Sequence, residues 1–108
     1  MKVAIIDVTV IPVGTETPSV SKYVASVQKV LKKYADEGKI RYQLTPMNTI
    51  IEGELSVLFE VAQAIHEQPF KEGLQRVCTS IRIDDRRDIS RKMEEKVEKV
   101  NKLLNEQM

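Results

Sequence analysis

No disulfide can form within this chain, because its only cysteine is Cys78. A reducing, cytoplasmic setting is the expectation that follows. Nothing near Cys78 suggests an activated thiolate, so it reads as a small packing residue. Tryptophan is absent, and the aromatics are Tyr23, Tyr34, Tyr42, Phe59 and Phe70. Only Tyr42 falls on an expected strand, so the sheet aromatics on which RNA-binding domains stack bases are missing. Neither sign of charge dominates: 17 basic against 16 acidic side chains leave a net charge of +1. That balance supplies no field for a phosphate backbone or an anionic lipid surface. Long apolar runs are lacking too, none nearing the roughly 20 residues of a membrane-spanning helix. Neither nucleic acid nor membrane is expected as a partner.

Catalytic and cofactor signals are equally sparse. His66 is the single histidine, and Cys/His spacing of the metal-binding kind does not occur. Gly14, Gly38, Gly53 and Gly73 stand alone, so no glycine-rich loop cradles a phosphate. Cys78 and His66 cannot be paired with a third orienting residue, which leaves nucleophilic catalysis without support. The expectation is no catalytic set, no metal and no cofactor.

What is present describes an ordinary folded protein. With 108 residues, 42% hydrophobic and 31% charged, the chain reads as one domain over 1–108. The opening MKVAIIDVTVIPVG is broken by Asp7, Thr9 and Pro12, so residues 2–13 read as a strand and not as a signal peptide. Alternation puts Ala4, Ile6, Val8 and Val10 on one side of it. Val3, Ile5, Asp7, Thr9 and Ile11 fall on the other. After GTETPSVSKY, with Ser19 or Ser21 as candidate caps, Val20, Tyr23, Val24, Val27, Val30, Leu31 and Tyr34 recur at helical spacing up to Gly38. IRYQLT (40–45) alternates as a strand, and a second short strand is expected over 49–52. Leu55, Leu58, Phe59, Ala62 and Ile65 mark a second helix fading at Gln68-Pro69. Residues 74–85 alternate again, with Val77, Thr79, Ile81 and Ile83 on one face. From Ser90 to about residue 106 a third helix carries Met93, Val97, Val100 and Leu104 on one side.

The order strand, helix, strand, strand, helix, strand is the split βαβ arrangement of an α+β, ferredoxin-like domain, here with an added C-terminal helix. Both main helices would cover one sheet face and leave the other open. The apolar residues on that face, and the narrow stripe of the third helix, predict homo-oligomer formation. The alternative is that the third helix caps the sheet of its own chain. The charged run IDDRRD (83–88) reads as a strand end with mutual ion pairs.

Three segments, IPVGTETPSVSKYV (11–24), LTPMNTIIEGE (44–54) and IRIDDRRD (81–88), resemble the small thiamine-binding protein family, in this order and on this strand–helix pattern. The family typically has glycine where this chain has Asn48. The resemblance implies dimers formed through the sheet, assembling into tetramers. It also implies binding of thiamine or its hydroxymethylpyrimidine part, with no reaction catalysed. Thiamine joins a cationic thiazolium to an aminopyrimidine bearing ring-nitrogen acceptors and an exocyclic donor. A binder needs a carboxylate, hydroxyl or amide groups, and apolar or sulfur surface. On that ground the candidate ligand-binding residues are Asp7, Thr9, Ser21, Thr45, Met47, Asn48, Thr49 and Glu52, with Glu52 favoured over Glu54. The role would be storage, delivery or sensing. The alternatives are a small enzyme using Asp7, Glu52 or the Asp84/Asp85 pair at a subunit interface, and a structural or regulatory module whose assembly is its function.

Overall fold

The computed structural model describes residues 3–88 and 93–107. Its elements are β1 (Val3–Val13), α1 (Ser21–Asp36), β2 (Ile40–Leu44), β3 (Thr49–Glu54), α2 (Leu55–Lys71), β4 (Arg76–Asp84) and α3 (Met93–Gln107). The strands form one antiparallel sheet in the order β2-β3-β1-β4, so the expected ferredoxin-like topology with a C-terminal helix is what the chain adopts. The expected start of the last helix at Ser90, and the side chain of Met93, lie outside the described residues.

The period-two pattern of β1 divides the molecule. Ala4, Ile6 and Val8 are buried and face α1 and α2, where they meet Val27, Leu31, Ile51, Leu58, Val61 and Ile65 in one core. The register Ile6↔Ile51 and Ile6↔Ile83 carries the same face across β3 and β4. Ile81 and Ile83 belong to this helix-covered face but sit on the edge strand, where they are partly exposed beside Phe59.

The ends of the helices follow backbone chemistry more than side-chain caps. No side-chain cap bond is made at the start of α1, where Val20 is the N-cap residue, so neither Ser19 nor Ser21 caps it as expected. Ser19 instead donates to the Ser21 hydroxyl at 3.4 Å. Gly38 does close α1. At φ +76° its N–H reaches the Ala35 carbonyl while the Lys39 N–H reaches that of Tyr34, the two bonds of a Schellman motif. Around Gly73 the same pair of bonds ends α2, with Leu74 donating to Pro69 and Gly73 to Phe70. Helix α2 therefore outruns the expected fading at Pro69 by reaching Lys71. The proline removes one donor in the last turn, yet its buried ring packs and its carbonyl still accepts.

Gly53 has a different task. A Cβ there would stand 3.1 Å from the Lys39 carbonyl oxygen and 3.3 Å from Ile40 Cγ2, so the β2–β3 strands and α2 close on a backbone without a side chain.

On the opposite face, the row Arg41↔Glu52↔Ile5↔Asp84 crosses the sheet. The start of α3 is tied to both ends of this row, Glu94 to Arg41 and Lys96 to Asp84. Glu94, ahead of Glu52, raises the Arg41 guanidinium above its ordinary range. Beyond these pairs α3 leaves the domain: Val97, Val100, Leu103 and Leu104 are each about half exposed or more, at 61%, 55%, 48% and 52%. The helix does not cap its own sheet.

Candidate functional site

The β2–β3 connection, Thr45 to Asn48, is held by one side chain. The Thr45 hydroxyl accepts from the Asn48 and Met47 N–H groups at 3.0 and 3.3 Å. It lies 2.6 Å from the Asn48 side-chain oxygen and 3.0 Å from its carbonyl, which also accepts the Thr45 N–H at 2.8 Å. The threonine oxygen is thus saturated, and its role is to build the turn. No described non-glycine residue has a positive φ, so Asn48 adopts its backbone conformation without the strain that would demand glycine.

This turn forms one wall of a cleft of about 220 Å³ on the helix-covered side of the sheet, at the end of β1 and beside the start of α1. Val8, Val10 and Val27 form its floor, the N-cap residue Val20 with Tyr23, Val24 and Gln28 of α1 its far side, and Leu44 to Thr49 its lip. Thr49 is buried, and its hydroxyl accepts from Gln28 Nε2 at 3.2 Å. Met47 stands at the rim, 82% exposed. Among the described residues the cleft lining holds no Asp, Glu, Lys or Arg, so its polarity is that of amides and hydroxyls against largely apolar walls.

Five of the expected ligand-binding residues come together here: Thr9, Thr45, Met47, Asn48 and Thr49. Thr9 borders the cleft although alternation puts it with the opposite sheet face. The other three lie elsewhere. Asp7 is on the open face, where its cross-strand partner Arg82 donates to it at 2.8 Å. Glu52 is buried on the same open face, 3.3 Å from Arg41. Ser21 is exposed at the first turn of α1 and does not line the cleft. For Glu52 the reason is parity: Thr49 and Glu52 are three apart on one strand, so they point to opposite faces.

Tyr23 and Gln28 were not singled out by sequence reasoning. The available signal was Gln28 itself, a polar residue directly after Val27 on the buried stripe of α1, where an amide needs a partner.

The remaining chemistry-bearing groups are engaged structurally. His66 Nδ1 is 2.7 Å from the Thr79 hydroxyl and its ring meets Phe70 edge-on at 5.6 Å. In the acidic–basic run, Arg86 pairs with Asp88 and Arg87 with Asp85. Among the described residues no three His, Cys, Asp or Glu side chains are grouped to hold a metal ion. No helix of the described residues is long and apolar enough to cross a membrane.

Comparison with known proteins gives the context. A Bacillus subtilis protein, UPF0045 protein YqgV, is 70% identical over 101 residues, 94% of this chain and 97% of its own length. The crystal structure of the hypothetical protein MJ1052 from Methanocaldococcus jannaschii superposes with a TM-score of 0.81 at 30% identity, covering 94% of this chain and 98% of that one. A Thermotoga maritima protein described as a candidate for thiamine biosynthesis or salvage superposes with a TM-score of 0.72 over 91% and 98% of the two chains, and at 18% identity it bears on the fold alone. The family described as thiamine-binding protein matches residues 6–101, from the middle of β1 into α3, and the chain belongs to that family.

Proposed function

We propose that this protein is a non-enzymatic binder of thiamine or its hydroxymethylpyrimidine moiety, and that the cleft between α1 and the β2–β3 turn receives the pyrimidine. The observation that carries the reading is the chemistry of the cleft: Gln28, Asn48 and Thr49 converge on a largely apolar pocket with no charged group among its described lining residues. A neutral aminopyrimidine suits it, since each ring edge offers donors and acceptors while both faces want apolar contact. At about 220 Å³ the space is smaller than the roughly 300–1,000 Å³ of drug-sized sites. It accommodates one substituted ring, with a thiazolium left toward Met47 and solvent. Cation recognition by a carboxylate is not part of this site.

The protein is further proposed to act as a homo-oligomer in the cytoplasm, serving to store, deliver or sense its ligand. Isothermal titration tests the binding: heat of association is expected with both hydroxymethylpyrimidine and thiamine. Absence of heat and of any thermal shift with both, at millimolar ligand, sinks the reading. A mass spectrum of small molecules retained by the purified native protein is the independent check.

A further inference from the structure

The hydrogen bonds of the β2–β3 turn fix which way the Asn48 amide faces. A hydroxyl has one hydrogen to give and two lone pairs to receive. Both lone pairs of Thr45 Oγ1 are taken by the N–H groups of Met47 and Asn48. The side-chain atom of Asn48 lying 2.6 Å from that oxygen must therefore be an acceptor, the carboxamide oxygen. The amide nitrogen is turned the other way. Asn48 is half-buried and lines the cleft, and its nitrogen has no hydrogen-bond partner among the described residues. Across the cleft Gln28 gives its own nitrogen to Thr49, which leaves its carbonyl oxygen as the unused end.

We infer that Asn48 and Gln28 form a donor–acceptor pair that reads one edge of the ligand ring: the Asn48 amide donates to a ring nitrogen, and the Gln28 carbonyl accepts from the adjacent exocyclic amine. The site then distinguishes a 4-aminopyrimidine from its 4-oxo counterpart, in which the ring nitrogen carries a hydrogen and the exocyclic group is an acceptor. The two rings have nearly the same size and shape, so aliphatic walls alone cannot separate them. Reversing both hydrogen bonds sets donor against donor and acceptor against acceptor. Asn48 cannot turn to adapt without aiming its own N–H at a Thr45 oxygen whose lone pairs are already taken. A site built on such bonds rejects the mismatched ring far more strongly than its shape would.

This inference rests on the proposed binding of a pyrimidine in the cleft, and the experiment separates the two. Titration calorimetry is run with 4-amino-5-hydroxymethyl-2-methylpyrimidine and with its 4-oxo analogue, on the wild-type protein and on Asn48→Asp, Asn48→Gly and Gln28→Met. The wild type should favour the amino ring by about tenfold or more. Asn48→Asp keeps an acceptor for Thr45 but offers the ring an oxygen, so its preference should fall toward unity or invert. Asn48→Gly and Gln28→Met should each lose most of the discrimination. Asn48→Gly is compatible with the turn because glycine tolerates this backbone conformation and the Thr45 N–H bond to the residue 48 carbonyl is kept, and it guards against a folding defect in the aspartate variant. A wild-type ratio near one, or variants that keep the wild-type ratio, overturns the inference while leaving pyrimidine binding intact. No binding of either ring to the wild type overturns both.

Discussion

Thr45 shows how a residue that looks suited to a ligand can be spent on the backbone. Its hydroxyl accepts two N–H groups and lies within donating distance of Asn48, so it has nothing left for a bound molecule. Replacing it by the isosteric valine removes the acceptor for Met47 and Asn48 and frees the Asn48 amide. The turn is partly wet, so water replaces some of what is lost. We expect Thr45→Val to lower stability by about 1–2 kcal/mol in urea denaturation, and to weaken pyrimidine binding at the same time. Stability loss with unchanged affinity would show that the Asn48 orientation does not matter to the ligand. Glu52 gives the opposite lesson. Its residue type fits a cationic ligand, yet strand parity sends it to the open face beside Arg41. Glu52→Gln is expected to leave affinity for thiamine within about twofold, because the charge lies on the far side of the sheet from the cleft. A tenfold loss, about 1.4 kcal/mol, would move the site. The segment 45–54 was thus legible as the place where the polar groups concentrate. Which of its side chains reach the cleft was set by alternation from Thr49, and the sequence-based choice of Glu52 did not apply it.

At the scale of elements, the core was readable because period and burial coincide. Ala4, Ile6 and Val8 alternate on β1, and Leu58, Ala62 and Ile65 repeat on α2, so each element carries its own address, although the expected stripe included Phe59, which is 54% exposed, and missed the buried Val61. Helix ends were less legible. Serine near the start of α1 suggested a side-chain cap that the fold does not use, and Pro69 suggested an end that Gly73 supplies four residues later. Both depend on hydrogen bonds to neighbours in space or on packing of a ring, which local residue type does not encode. Gly53 is a case where an isolated glycine in a strand does carry meaning. A methyl group there would press on the Lys39 carbonyl at 3.1 Å, a backbone atom that cannot rotate away. Gly53→Ala should therefore cost about 1–3 kcal/mol in stability through overpacking, read as a lower midpoint in thermal or urea unfolding. Since Gly53 sits next to Glu54 and the N-terminus of α2, far along β3 from Thr49, ligand affinity of the folded fraction should hold. An alanine variant as stable as the wild type would mean that β2 and α2 separate there at little cost.

The whole molecule is longer than its length requires. Its radius of gyration is 15.7 Å and its extents are 49 × 34 × 21 Å, against about 13 Å for a compact chain of this size. The difference lies in α3, which is fastened at its start by Glu94–Arg41 and Lys96–Asp84 and then presents its apolar stripe to solvent. A 15-residue helix with no packing partner is marginal in water, and surface ion pairs contribute little against that. On the open sheet face Ile11 and Val13 are exposed as well. A second copy of this chain is the simplest cover, because each copy would offer both an uncovered sheet face and an uncovered helix, as a two-fold contact requires. Val100→Lys combined with Leu104→Lys puts two charges into the proposed contact without touching the core or the cleft. Sedimentation velocity should show the wild type as an oligomer and the double variant shifted to monomer. If the cleft is complete within one chain, the monomeric variant should still bind the pyrimidine, though with α3 frayed. A monomer that no longer binds would instead assign part of the site to the partner copy. A double variant that sediments as the wild type does would exclude α3 from the contact and leave the sheet face or the β4 edge to form it.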